Sequence, residues 1–249
     1  MTYRVENRIA TLSFDRPERA NALDLEAWHA LRDNLQRADT NPEVHVVVLN
    51  GKGKHFCAGI DLSVLQGLPQ LLAQGAGAGA KKARLIEFIQ DLQDCITAIE
   101  HCSKPVIAAI HGSCIGGGVD IITACDLRYC TRKATFSVKE VDLGIVADLG
   151  TLQRLPRIVS PAVAAELAFT GRNFDGKEAA AIGLVNEALS GEGQLTYRVD
   201  QVAAAIAAKP PRITAGIKRT LLHQRYAALQ ESLDYVADYS ATLMLGGNK

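Results

Sequence analysis

Apolar and polar residues alternate over positions 8–15, the period of a strand with one face turned inward, and the whole of 1–14 reads as strand. Arg16-Pro17-Glu18 breaks it. The period then lengthens. Leu25, Trp28, Leu31, Leu35 and Ala38 share one face of a helix predicted over 25–38, with Asp24 placed to cap it. Positions 44–49 are a β-branched run, as in a strand buried on both faces, and Gly51-Lys52-Gly53 ends it. Strand, helix and buried strand in succession indicate an α/β fold.

A turn at 55–62 feeds the next helix. The Gly/Ala run at 75–80 has no side chain to anchor it and is expected to be a mobile surface loop. An amphipathic helix follows over 81–101, with Leu85, Phe88, Ile89, Leu92, Ile96 and Ile99 inward. Then come a buried strand at 105–110, a triple glycine, a short helix at 119–126, strands at 127–130 and 134–138, and a helix at 175–183. From Leu195 the pattern is almost wholly helical, with a break at Pro210-Pro211. We expect a core over 1–194 holding the site, and a helical region over 195–249 outside the sheet.

The chain has 249 residues, 48% hydrophobic and 22% charged, with a formal net charge of zero. Zero net charge argues against a broad nucleic-acid footprint and against an anionic membrane surface. No apolar stretch is long enough to span a bilayer. Met1 to Phe14 does not read as a signal peptide, and Gly247-Asn248-Lys249 carries no peroxisomal or ER-retention address. The six cysteines, Cys57, Cys95, Cys102, Cys114, Cys125 and Cys130, form no C-x-x-C pair and match no zinc spacing. They are expected as buried, reduced thiols, with no metal, in a cytoplasmic protein.

Small residues lie between strand and helix at Cys57-Ala58-Gly59-Ile60 and at Gly116-Gly117-Gly118. A helix start leaves N–H groups free, and glycine lets a ligand approach the backbone. Two such turns facing one point would make an oxyanion hole. Taken singly, each is also an ordinary tight turn. Neither fits the G-x-G-x-x-G dinucleotide fingerprint. Three acids follow: Asp120, Glu140 and Asp148. Asp120 lies in the first turn of the helix opened by the glycines, where an acid also stabilises the helix dipole. Asp148 sits among Gly144, Ile145, Val146, Ala147, Leu149 and Gly150, where burial would raise its pKa toward neutrality. Its plainer role is as a turn residue bonding its own backbone. His55 and His111 flank the glycine turns with no nucleophile beside them, and Lys52 and Lys54 are within reach of a phosphate or simply solvated.

Four segments together resemble the enoyl-CoA hydratase/isomerase (crotonase) superfamily: Ala58-Gly59-Ile60-Asp61-Leu62; 104–112, KPVIAAIHG; Gly116-Gly117-Gly118; and 150–156, GTLQRLP. The likeness covers about 8–185. It implies a spiral of ββα units with a C-terminal helical region that builds homotrimers or homohexamers. It implies a coenzyme A thioester as substrate, with Ala58, Gly59, Ile60, Asp61, Leu62 and Gly118 binding it and the N–H groups of Ile60 and Gly117 holding its oxygen. No separate cofactor is implied, because coenzyme A is part of the substrate. The acids at Asp120, Glu140 and Asp148 most resemble the 3,5–2,4-dienoyl-CoA isomerases of fatty-acid β-oxidation. Hydratases of the superfamily place two glutamates at the first two positions and usually a small residue at the third. The expected activity is therefore isomerisation of a 3,5-dienoyl-CoA to a 2,4-dienoyl-CoA. Glu140 would serve C2 and Asp148 C6, or the reverse, and Asp120 would orient a partner. The alternatives are a 2-enoyl-CoA hydratase and a non-catalytic RNA-binding or scaffold member of the same fold.

Overall fold

The computed structural model describes residues 1–73 and 77–246, with the side chains at 223–229, 232, 239, 243, 244 and 246 outside the description. Its strands are β1 Thr2–Glu6, β2 Ile9–Phe14, β3 Val46–Gly51, β4 Val106–Ile110, β5 Ser113–Ile115, β6 Leu127–Thr131, β7 Thr135–Ser137, β8 Phe174–Asp175 and β9 Glu187–Leu189. Its helices are α1 Leu25–Thr40, α2 Leu62–Ala73, α3 Ala78–His101, α4 Gly117–Ala124, α5 Thr151–Arg154, α6 Pro161–Thr170, α7 Gly176–Ala181, α8 Glu192–Ala207 and α9 Pro211–Gly246.

One sheet runs β1-β2-β3-β4-β6-β9 and a second runs β5-β7-β8. In the larger sheet only β1 is antiparallel to its neighbour; the remaining pairs are parallel. The chain repeats one move: a strand in the large sheet, a short strand in the small one, then a helix. β4-β5-α4 shows it most plainly, and β6-β7 begins the next turn. The β-branched run in β3 is continuous because both faces are covered. Val46 and Val48 pack with Leu195, Val199, Ala203 and Ala207 of α8, while Val47 and Leu49 face the main core. Asp24 caps α1 by accepting from Ala27 N–H at 2.9 Å.

Several expectations change. The strand read over 1–14 is a hairpin, bent at Asn7 and Arg8 with φ of 50° and 67°. Leu25, the first residue of α1, is 40% exposed at the rim of its layer, and Ala27 is buried on that face instead. α3 begins at Ala78, inside the segment 75–80 expected as a loop. Alanine favours helix enough to carry it through Gly79. Residues 75 and 76 of that segment lie outside the described residues. α6, β8 and β9 were not anticipated; two- and three-residue strands have too few positions to show a period.

The region from Leu195 is helical up to 246 with the expected break before Pro211, yet it is not set apart from the sheet. α8 forms one of the sheet's two covering layers. α9 docks along α3, putting Ala237 and Ala241 into the main core. Lys218 of α9, 4% exposed, fixes the other end by donating to the carbonyls of Ile99 and Lys104 at 2.8 and 3.1 Å and pairing with Asp126 at 2.8 Å. Charge burial here is matched by three acceptors. All six cysteines are buried and unbridged, as expected. Among the described residues no helix is long and apolar enough to cross a membrane.

Candidate active site

The two glycine turns meet. Leu23 N–H donates to the Gly59 carbonyl at 2.8 Å and Asp61 N–H to the Leu23 carbonyl at 2.9 Å, which fixes the backbone on either side of Ile60. Gly116 N–H donates to the Ser137 carbonyl at 2.9 Å, and Gly117 opens α4. Among the described residues, the N–H groups of Ile60 and Gly117 make no hydrogen bond. Gly59 has φ of +92°, and a Cβ there would lie 2.8 Å from the Ile115 carbonyl oxygen and 3.3 Å from Gly117 N. Only glycine lets the turns come so close. Beneath them, the six-membered ring of the fully buried Trp28 leaves no room for a side chain at Gly117.

The three acids are all nearly buried: Asp120 is 1% exposed, Glu140 9% and Asp148 9%. Asp120 lies in the first turn of α4, and its Oδ1 accepts from both Thr151 N–H and Thr151 Oγ1–H, each at 2.7 Å. Burial pushes its pKa up to about 6 against the pull of those two donors and of Arg154. Glu140 opens a 3-10 turn, Glu140–Leu143, that follows β7. Its carboxylate lies against Gly116, where an added Cβ would be 3.2 Å from Oε1. Glu140 Oε2 is buried with no partner among the described residues. Burial, then repulsion from Asp120 and more weakly from Asp148, pushes Glu140 up to about 8. Asp148 sits between that turn and α5; its Oδ2 accepts from Ser240 Oγ–H at 2.7 Å, and burial raises it to about 6 despite that bond. Mutual repulsion within this buried cluster therefore keeps the three acids from all ionising together as readily as free carboxyls would.

Ile60, Gly117, Asp120, Glu140 and Asp148 all line one cavity of about 50 Å³, whose other walls are the apolar side chains Leu65, Leu68, Leu85, Phe88, Ile89, Leu92, Ile145 and Leu149. Such a volume takes a few waters, and Leu65 and Leu68 in its wall belong to α2. Two larger surface clefts, about 890 and 880 Å³, contain none of the three acids. Size is the poorer guide here, because convergent polar groups in an apolar wall mark a site better than volume does.

The other expected substrate contacts fall outside this cavity. Ala58 N–H donates to the Ala20 carbonyl at 3.0 Å. Asp61 accepts from Ser63 N–H and Oγ–H at 3.0 and 2.8 Å and from Arg16 at 3.1 Å, bonds that hold its pKa low. Leu62 is 56% exposed, and Gly118 packs on the Cys57 carbonyl. His55 Nδ1 accepts from Ser113 N–H and His111 bonds the Gly53 carbonyl, so both brace the turns. Lys52 pairs with Asp15 at 2.7 Å. Burial pushes the Cys57 thiol up to about 12, which leaves it unreactive.

Sequence reasoning missed three residues that hold the acids. Thr151 stands inside the quoted 150–156 segment, so it was visible there without a role. Gln93 of α3 donates to the Asp148 carbonyl at 2.6 Å and to the Leu233 carbonyl at 3.4 Å. Ser240 comes from a helix 92 positions away. Behind them the buried pair Arg154–Glu100, at 2.7 Å, sends Arg154 Nη1 to the Leu149 carbonyl and Nη2 to Thr97 Oγ1.

The model of the family Enoyl-CoA hydratase/isomerase matches residues 4–242. The chain is 47% identical over 240 residues to the peroxisomal Delta(3,5)-Delta(2,4)-dienoyl-CoA isomerase of Arabidopsis thaliana, covering 96% of this chain and 86% of that one. It is 38% identical over 244 residues to the mitochondrial enzyme of the same name from Mus musculus, covering 96% and 73%. A crystal structure of an enoyl-CoA hydratase/isomerase from Xanthobacter autotrophicus Py2 superposes with a TM-score of 0.86 at 28% identity, covering 99% and 88%. The fold expected from the resemblance is the fold found. The expectation of a cytoplasmic protein is overturned, because these relatives are named peroxisomal and mitochondrial. Buried, unbridged thiols do not choose among compartments.

Proposed function

The chain belongs to the enoyl-CoA hydratase/isomerase family, and we propose that it converts a 3,5-dienoyl-CoA thioester into the 2,4-dienoyl isomer, a step in fatty-acid β-oxidation. The observation that carries this reading is the third buried acid: Asp148 shares one apolar cavity with Glu140, where a hydration would need no such group. The names of the two relatives support the same choice.

In this reading the thioester oxygen accepts from the N–H groups of Ile60 and Gly117. Each donor aimed at a developing oxyanion is worth roughly 3–4 kcal/mol. Glu140, beside Gly116 and hence near the oxygen, takes the C2 proton. The C2–H electrons enter an enolate conjugated through C3=C4 and C5=C6. Re-forming the C1 carbonyl moves the double bonds to C2=C3 and C4=C5, and C6 takes a proton from Asp148. One C–H bond breaks and another forms, so the step needs neither metal nor redox partner, and coenzyme A enters only as part of the substrate. Afterwards Glu140 holds the proton and Asp148 is ionised, so a proton returns before the next turnover. The active form carries one proton on the pair, which makes the rate bell-shaped in pH with limbs near the two values of about 6 and about 8, whichever acid holds it at rest.

Asp120 suits a fixed charge better than a hydratase acid. Its Oδ1 already accepts two donors from Thr151, and its charge helps to keep Glu140 high. We propose further that the chain assembles as a trimer or hexamer. Ile213, Ile217 and Leu221, spaced four apart on α9, are 61%, 56% and 63% exposed and form an apolar stripe that a second copy would cover.

The test is to mix the purified protein with a 3,5-dienoyl-CoA and, separately, a 2-enoyl-CoA. Growth of the conjugated 2,4-diene absorbance with the first supports the proposal. A 3-hydroxyacyl product from the second, with no diene from the first, refutes it.

A further inference from the structure

Over 233–241 the described buried residues of α9 are Leu233, Val236, Ala237, Ser240 and Ala241, none more than 5% exposed. Among these five the Ser240 hydroxyl is the one polar side chain. A buried hydroxyl is costly unless bonded, and Ser240, with no exposure, donates to Asp148 Oδ2 at 2.7 Å. The alanines on either side let the helix lie close enough for that reach. Gln93 of α3 ties the same loop from behind, through the carbonyls of Asp148 and Leu233. The loop that carries Asp148 is thus held from α3 and from α9 at once.

We propose that Ser240 is a positioning residue for Asp148: its hydroxyl holds Oδ2 and leaves Oδ1 as the oxygen that exchanges a proton with the acyl chain. The helical region from Leu195 then supplies part of the active site instead of serving assembly alone. The other groups facing Asp148 are charged or unable to do this. Asp120 of α4 and Glu140 of the 3-10 turn are acids that repel its charge, as their effect on one another shows. Arg154 of α5 is committed to Glu100 and to the Leu149 carbonyl. Gln93 of α3 reaches only the backbone carbonyl of Asp148. Among the described residues, the Ser240 hydroxyl is the one side-chain donor on the carboxylate itself.

A donor to a carboxylate favours the ionised form, so its loss raises the pKa. The kinetic readout rests on the isomerase reading; a second readout does not. Carboxyl ¹³C NMR follows Asp148 directly, its signal assigned by its absence in Asp148→Asn. Ser240→Ala should raise the titration midpoint of Asp148, and with it the acid limb of kcat/KM for a 3,5-dienoyl-CoA, by about one pH unit, the scale of one hydrogen bond to a charged group. Ser240→Cys, of nearly the same size with a weaker donor, should fall between. If the midpoint of Asp148 is the same in all three proteins, the hydroxyl does not hold the carboxylate and the inference is overturned. A raised midpoint supports it even where the wild type forms no 2,4-diene, an outcome that would remove only the assignment of the reaction.

Discussion

Glu140→Gln should make the protein more stable, and the gain should grow with pH. The carboxyl of Glu140 is driven from 4.5 to about 8, chiefly by burial and then by the charge of Asp120. Folding therefore favours its protonated form. Between the unfolded and folded values the native state binds the proton that the unfolded chain releases, so stability falls as pH rises through that window. At about 1.4 kcal/mol per pKa unit, the loss across the window is on the order of 5 kcal/mol. Glutamine keeps the shape and never ionises. It also relieves Asp120 and Asp148 of a neighbouring charge. Below about pH 5 wild type and variant should be nearly equal, since each places a neutral polar group against the same unpartnered space at Oε2. By about pH 8–9 the variant should lead by several kcal/mol, or roughly 2–4 °C of Tm for each kcal/mol at this size. Urea melts of both proteins at half-unit steps from pH 4.5 to 9 measure the difference directly. A stability difference that stays flat over that range would refute the reasoning, because a carboxyl left at its ordinary value makes no such pH-dependent difference. The same variant should lose isomerase turnover by roughly 10²–10⁴, the usual scale for a positioned acid or base.

Asp148→Asn should cut turnover of a 3,5-dienoyl-CoA by roughly 10²–10⁴ with thioester affinity nearly unchanged, while Asp120→Asn should do less; steady-state kinetics separates them, and the opposite order would favour hydration. Gly59→Ala should lower both activity and stability, since its Cβ would lie 2.8 Å from the Ile115 carbonyl oxygen at a φ of +92°; a melt and an assay unchanged from wild type would show that the turns have more slack than the geometry allows. Ile217→Asp, in the exposed stripe of α9, should release monomers detectable by light scattering; an assembly of unchanged mass would place the contact elsewhere.

Much of this protein was legible in its order of residues. The long periods of α1 and α3, the cap at Asp24 and the β-branched run of β3 are local signals, and local physics forms those elements wherever they end up. Glycine at 59 and 117 marks close backbone approach, and an acid among apolar neighbours at 148 marks burial; both kinds of signal survive without knowing the fold. What only the tertiary structure decided is who touches whom over long separations. No period or motif links Thr151 to Asp120, Gln93 to Leu233 or Ser240 to Asp148, because each contact depends on how helices dock and not on either segment's own preference. For the same reason α8 and α9 read as an appendage. Their apolar faces are plain in the sequence, but whether those faces meet the sheet, the active-site loop or a second copy depends on packing that no local pattern encodes. The ordering of the three acids by pKa belongs to that level too, since it follows from how deeply each is buried and which charge faces it.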